Sequence, residues 1–105
     1  KSHGRHRIAA TFDHVKRHIG APRERDWLQG NYQLANRIAF LYFLNKLAGI
    51  PAWLAMVHFV GDQSNKPTSP HVWHAHVMRQ QKQLGLRVDG PLMDRIVWVF
   101  PEAPA

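Results

Sequence analysis

The stretch from Tyr32 to Asp62, YQLANRIAFLYFLNKLAGIPAWLAMVHFVGD, limits the folds open to this chain more than any other. Its first turns are polar, Ile38–Leu44 is unbroken apolar, and Gly49 and Pro51 end the run as helix-stop residues do. This predicts a helix over residues 31–48, apolar around nearly its whole circumference and so packed on more than one side. Residues 52–60 then predict a strand. Trp53, Ala55, Val57 and Phe59 fall on one face, and Leu54, Met56, His58 and Val60 on the other. With both faces apolar, the pattern is that of an interior strand in a mostly parallel sheet.

The flanking segments complete an α/β arrangement. Ile8, Phe12, Val15 and Ile19 recur at helical spacing, and Gly20 and Pro22 end a helix over residues 8–19. Lys16, Arg17 and His18 fall in its last turn, where cations suit the helix dipole. Before it, residues 1–7, KSHGRHR, read as a basic arm. Residues 21–30 form a polar connector with Trp27 as its anchor. Ser69-Pro70 gives an N-cap and first-turn proline for a third helix, which runs to about Leu84 and stops at Gly85. Residues 95–100, RIVWVF, predict a second strand. Strand, helix and strand over residues 52–100 make a βαβ unit with parallel pairing.

Two strands are too few to bury a helix this apolar and a strand apolar on both faces. Either the chain forms a homo-oligomer, or strands N-terminal to Lys1 are missing, and the start at Lys1 rather than Met favours the second. The expectation is therefore a single partial domain spanning residues 1–105, with helices on a small, mostly parallel sheet.

Charge narrows the partners. Fourteen Lys and Arg against seven Asp and Glu give a net charge of +7, a balance that favours polyanions such as nucleic acid. No apolar run approaches the roughly 20 residues that cross a bilayer, and no signal-peptide pattern follows the basic start. No membrane association is expected. The absence of cysteine excludes disulfides and thiolate metal sites and fits a cytoplasmic setting.

The candidate site residues lie at the polar start of the central helix. Gln33, Asn36 and Arg37 fall in a wedge about 100° wide, in line with Phe40 and Leu44. Amide groups and a guanidinium fork suit a bound phosphodiester or a water-filled catalytic cleft, and equally a solvated first turn. Asp62 follows the strand directly, where open α/β sheets bind ligands; a turn acid is the alternative.

The eight histidines give no metal centre. In HVWHAH, His76 lies about 140° from His71 and about 160° from His74 on a helix, so the three cannot converge. His14 and His18 have metal-pair spacing but no cage around them. His58 reads as a satisfied core histidine, and Trp27, Trp53 and Trp73 as packing. There is no HExxH, GxSxG, P-loop or GxGxxG motif.

The run YQLANRIAFLYFLN, followed by PAWLAMVHFVGD, a helix containing Trp73, then LGL and IVWVF, resembles the C-terminal part of uncharacterised bacterial proteins similar to the PD-(D/E)XK nuclease superfamily. The resemblance spans roughly residues 1–100 and is distinctive only over residues 32–62. It implies a restriction-endonuclease-like fold. In that superfamily a strand carries an acid, any residue, then lysine, and some members place Gln on the following helix with Tyr four residues later. Gln33 matches the Gln, Arg37 stands in the Tyr position, and Lys1 sits where the motif lysine falls. By this resemblance Lys1 and Gln33 are the catalytic candidates, and Mg²⁺ is the cofactor of an intact domain, held by acids that precede Lys1. Arg37, Asn36, Arg5 and Arg7 are the nucleic-acid-binding candidates. The expected function is the C-terminal portion of a nuclease-like domain, inactive alone. The alternatives are a non-catalytic nucleic-acid-binding module and a structural α/β oligomerisation unit.

Overall fold

The computed structural model describes residues 2–60 and 69–102, with side chains from Arg7 onward. Among these residues the chain is mixed α/β, with three α-helices and a two-stranded parallel sheet. Helix α1 spans Ser2–Ile19, α2 Tyr32–Tyr42 and α3 Pro70–Leu84; strands β1 and β2 are Leu54–Val57 and Ile96–Val99.

Helix α1 begins at Ser2 rather than at Ile8, so Arg5 and Arg7 belong to a helix and not to a loose arm. Once a helix is nucleated, each added residue brings a backbone hydrogen bond. Nothing between Ser2 and Ile8 forbids that extension, because Gly4 weakens a helix without breaking it.

Helix α2 departs from the expected single helix over 31–48. After Tyr42 the backbone widens into a π-helical turn over Phe43–Leu47, with the Ala48 N–H donating to the Phe43 carbonyl at 2.9 Å. Asn45 sits in this turn. Its Nδ2 donates to the carbonyls of Leu41 (3.2 Å) and Ala52 (3.0 Å), and its Oδ1 accepts from the Ala52 N–H at 3.4 Å. Asn45 thereby fixes the chain reversal that delivers β1 beside α2.

Helix α3 follows its end signals closely. Ser69 Oγ accepts from the Val72 N–H at 3.3 Å, Pro70 occupies the first turn, and Gly85 adopts φ +73°. The Leu86 N–H bonds to the Gln81 carbonyl at 2.9 Å and the Gly85 N–H to the Lys82 carbonyl at 3.1 Å, a Schellman closure.

The sheet is parallel in the register Leu54↔Ile96, Ala55↔Val97, Met56↔Trp98 and Val57↔Val99. Both strands are shorter than expected. Pairing continues past β1 through His58 N–H to the Val99 carbonyl (2.9 Å) and Val60 N–H to the Pro101 carbonyl (2.8 Å).

Only one face of this sheet is covered. Ile96 is buried and Leu54, Met56 and Trp98 are half-buried against the core, whereas Trp53, Ala55, Val57, Phe59, Val97 and Val99 are all exposed. The expectation of an interior strand with both faces buried therefore fails for these residues. The physical reason is the shortage of layers: the helices occupy one side, and no described helix or strand covers the other.

The core joins Phe12, Val15 and Ile19 of α1 to Leu34, Ile38 and Leu41 of α2, with Leu84, Leu92 and Ile96 beyond. Trp27 anchors the connector as expected. It is 1% exposed, meets Phe12 edge-on at 5.5 Å, and donates Nε1–H to the Leu84 carbonyl at 2.9 Å.

Candidate nucleic-acid interface

Burial on α2 divides its residues sharply. Leu34, Ala35, Ile38, Ala39, Leu41 and Tyr42 face the core, and Gln33, Asn36, Arg37 and Phe40 are exposed. The helix is thus packed on α1 and β1 but open along the stripe that carries the polar candidates. Phe40, 66% exposed, is the ridge of that stripe.

A groove runs along each side of Phe40. The first, about 330 Å³, lies against α1 and is lined by Arg7, Ile8, Thr11, Phe12, Asn36 and Phe43, among others. The second, about 320 Å³, lies against β1 and is lined by Arg37, Leu41, Leu44, Trp53 and Leu54, again with Asn36. Asn36 therefore borders both grooves, with one arginine in each, and no carboxylate of the described residues lines either. Such grooves offer amide donors and acceptors and two guanidinium forks above an apolar floor.

A third cation joins them from the sheet. Arg95 lies with its guanidinium 4.8 Å from the centre of the Trp53 ring, within cation–π range. Trp53 is 63% exposed and is not the packing residue expected. The parallel register sets residues 53 and 95 level at the strand entrances, which is why the two meet.

Among the sequence candidates, Asn36, Arg37 and Arg7 come together around Phe40. Gln33 is exposed on the same stripe but lines neither groove. Lys1, Asp62 and the side chain of Arg5 lie outside the described residues.

The histidines serve other ends. His14 Nε2 and the Tyr42 hydroxyl share a hydrogen bond at 2.8 Å, and the His18 ring meets Tyr42 at 4.7 Å. The i,i+4 pair therefore brackets a tyrosine. His58 lies 4.4 Å from the Trp73 ring, 5.7 Å from Phe100 and 6.0 Å from His76. Trp73 in turn donates Nε1–H to the Phe59 carbonyl at 2.7 Å. Desolvation, then the nearby His76, hold the His58 imidazole below its ordinary pKa. His58 Nε2 has no hydrogen-bond partner among the described residues, and the expected core histidine is half-buried. No three His, Asp or Glu side chains among the described residues are arranged to hold a metal ion. No described helix is long and apolar enough to cross a membrane.

The chain matches no protein-family model, no curated protein and no solved structure.

Proposed function

We propose that this chain is a nucleic-acid-binding unit, the C-terminal part of a restriction-endonuclease-like domain, that contacts the phosphodiester backbone through the α2 stripe. One observation carries the reading: Arg7, Asn36 and Arg37 border two adjoining grooves in which, among the described residues, no acid side chain takes part. Two guanidinium groups without a neighbouring carboxylate attract an anion and offer it bidentate hydrogen bonds. The net charge of +7 adds long-range attraction toward a polyanion. The resemblance to PD-(D/E)XK nucleases adds Gln33 as a group that orients water or substrate at the same helix end. Hydrolysis by such a domain needs carboxylates to hold Mg²⁺, so the role proposed for these 105 residues is binding.

Binding of a fluorescein-labelled duplex, followed by anisotropy at increasing salt, tests the proposal. Phosphate contacts predict log K falling linearly with log salt, and Arg7→Ala and Arg37→Ala each lowering that slope by about one. Absence of binding at low salt, or slopes unchanged in both variants, would refute it. Cleavage by a version carrying the chain's natural upstream residues, with Mg²⁺ and sensitive to chelator, would extend the role from binding to hydrolysis.

A further inference from the structure

From the aromatic wall of the second groove we infer that it holds an unpaired base, so that the site takes single-stranded nucleic acid in preference to duplex; this rests on the phosphate contacts proposed above and adds the class of strand. Phe40 of α2 and Trp53, the residue before β1, both line this groove. They are 66% and 63% exposed, and neither ring belongs to the core. A large ring left in water forgoes the hydrophobic free energy that burial supplies. Two such rings on one groove offer flat apolar surface to a planar ligand.

The charges around the groove select its occupant. Arg37 lines it, and the Arg95 guanidinium lies over the Trp53 ring, where the groove meets the open sheet face. The ion pairs among the described residues are Arg23–Asp13 and Arg87–Asp89, so neither Arg37 nor Arg95 is committed to a carboxylate there. Arg95 takes one face of the indole, and Trp53 stays largely exposed with that contact made. A further protein layer over the groove would have to bring its own carboxylates to two guanidinium groups, because burying an unpaired charge is costly. A nucleotide brings both complements on one scaffold, phosphate for the guanidinium and a π face for the rings. Asn36 adds an amide that donates to and accepts from a base edge.

Strand class follows from what each form of nucleic acid can present. In a duplex the base faces are stacked on one another, and a side-chain ring reaches one only after an unfavourable unstacking. A single strand lays its bases on aromatic side chains while its backbone follows the cations. The groove, about 320 Å³, has the size of a small-ligand site and takes one base with its sugar rather than a stacked run. The strand then continues across Phe40 into the first groove, where Arg7 meets the next phosphates.

Anisotropy of fluorescein-labelled DNA and RNA strands of about 12 nucleotides, within the site sizes of single-strand binders, tests this on the full chain. Each strand is used alone and annealed to its complement, at one salt concentration. The single strand should bind more tightly than its duplex, and the two chemistries show whether DNA or RNA is the source. Phe40→Leu and Trp53→Leu keep apolar bulk and remove a ring. Each should weaken single-strand binding about fivefold or more, and duplex binding less. Trp53→Phe keeps a ring and should lose less than Trp53→Leu. Unchanged far-UV circular dichroism and melting temperature would establish that each variant is folded; if none folds, the wild-type comparison decides alone. Duplexes bound as tightly as single strands in both chemistries overturn the inference. So do folded ring-less variants that bind single strands unchanged or lose equally on both substrates. Loss of the ring dependence in a version carrying the natural upstream residues also overturns it and assigns the groove to packing within a larger domain. If Arg7→Ala and Arg37→Ala still lower the salt slope in any of these cases, the phosphate-binding reading stands without the inference; slopes unchanged in both remove the two together.

Discussion

Arg95 stacks over Trp53 at the entrance to the sheet, 4.8 Å from ring centre to guanidinium. The pair joins the start of one strand to the start of the other across a parallel register, and holds a cation at the border of both exposed surfaces. An exposed cation–π contact contributes about 0.5–1 kcal/mol. Arg95→Ala should therefore lower unfolding free energy by no more than about 1 kcal/mol in a urea titration. Trp27→Phe should cost more, about 1–3 kcal/mol, because it leaves the Leu84 carbonyl without its buried donor. A larger loss for Arg95→Ala than for Trp27→Phe would contradict this ranking.

Lys16 is 5% exposed and lies 5.6 Å from the Trp27 ring centre, with Nζ donating to the carbonyls of Arg23 and Arg25. The ammonium replaces water for two loop carbonyls and pins residues 23–25 to α1. Lys16→Met keeps the apolar stem and removes the donor. It should destabilise the chain by about 1.5–3 kcal/mol, as expected for part-buried acceptors that lose a charged donor. Hydrogen exchange should show faster opening of residues 21–30 in this variant than in Arg17→Met, which alters an exposed neighbour. Equal exchange in the two variants would mean that the loop is held by other contacts.

Gly85 terminates α3 at φ +73°, and a Cβ placed there would come within 2.6 Å of Pro22 Cδ and 2.9 Å of Arg25 Cγ. Left-handed backbone costs an alanine about 1–2 kcal/mol, and the contact with the proline ring adds to it. Gly85→Ala should lower stability by about 2–4 kcal/mol, within the range of core strain. Pro22→Ala in the same chain should recover part of that loss, by removing the ring that the new methyl meets. Thermal melts of the single and double variants measure the coupling, and strict additivity would mean that the backbone angle alone is responsible.

The sequence carried the elements better than their surroundings. Ser69, Pro70 and Gly85 bound α3 because caps and left-handed stops are local chemistry, written in single residues. The parallel pairing of β1 with β2 followed from strand–helix–strand order, and Trp27 was readable as an anchor. The open sheet face was not readable, since an apolar strand looks the same whether or not a layer covers it; only the count of strands hinted at the shortage. Lys16 looked like a dipole-complementing cation because nothing local signals that the following loop folds back over it. At the site, the wedge of Asn36 and Arg37 came from helical spacing. Arg7 joined it only through the tertiary packing of α1 on α2, and Arg95 met Trp53 only through strand register.

His58 supplies the pH dependence. Burial, then the neighbouring His76, lower its pKa in the folded chain, so the unfolded chain binds the proton more readily. Stability contributed by neutral His58 is thus fully present above the ordinary histidine value of about 6.5 and is lost as pH falls from there toward the lower folded value. The melting temperature should drop on acidification from about pH 7.5 to about 5.5. His58→Phe keeps a ring between Trp73 and Phe100 and removes the titrating group, so its melting temperature should fall less over the same interval. His76→Gln should flatten the dependence to a smaller degree, because it removes the secondary cause and leaves the burial. If the wild-type chain and His58→Phe lose the same number of degrees, the acid sensitivity belongs to other groups.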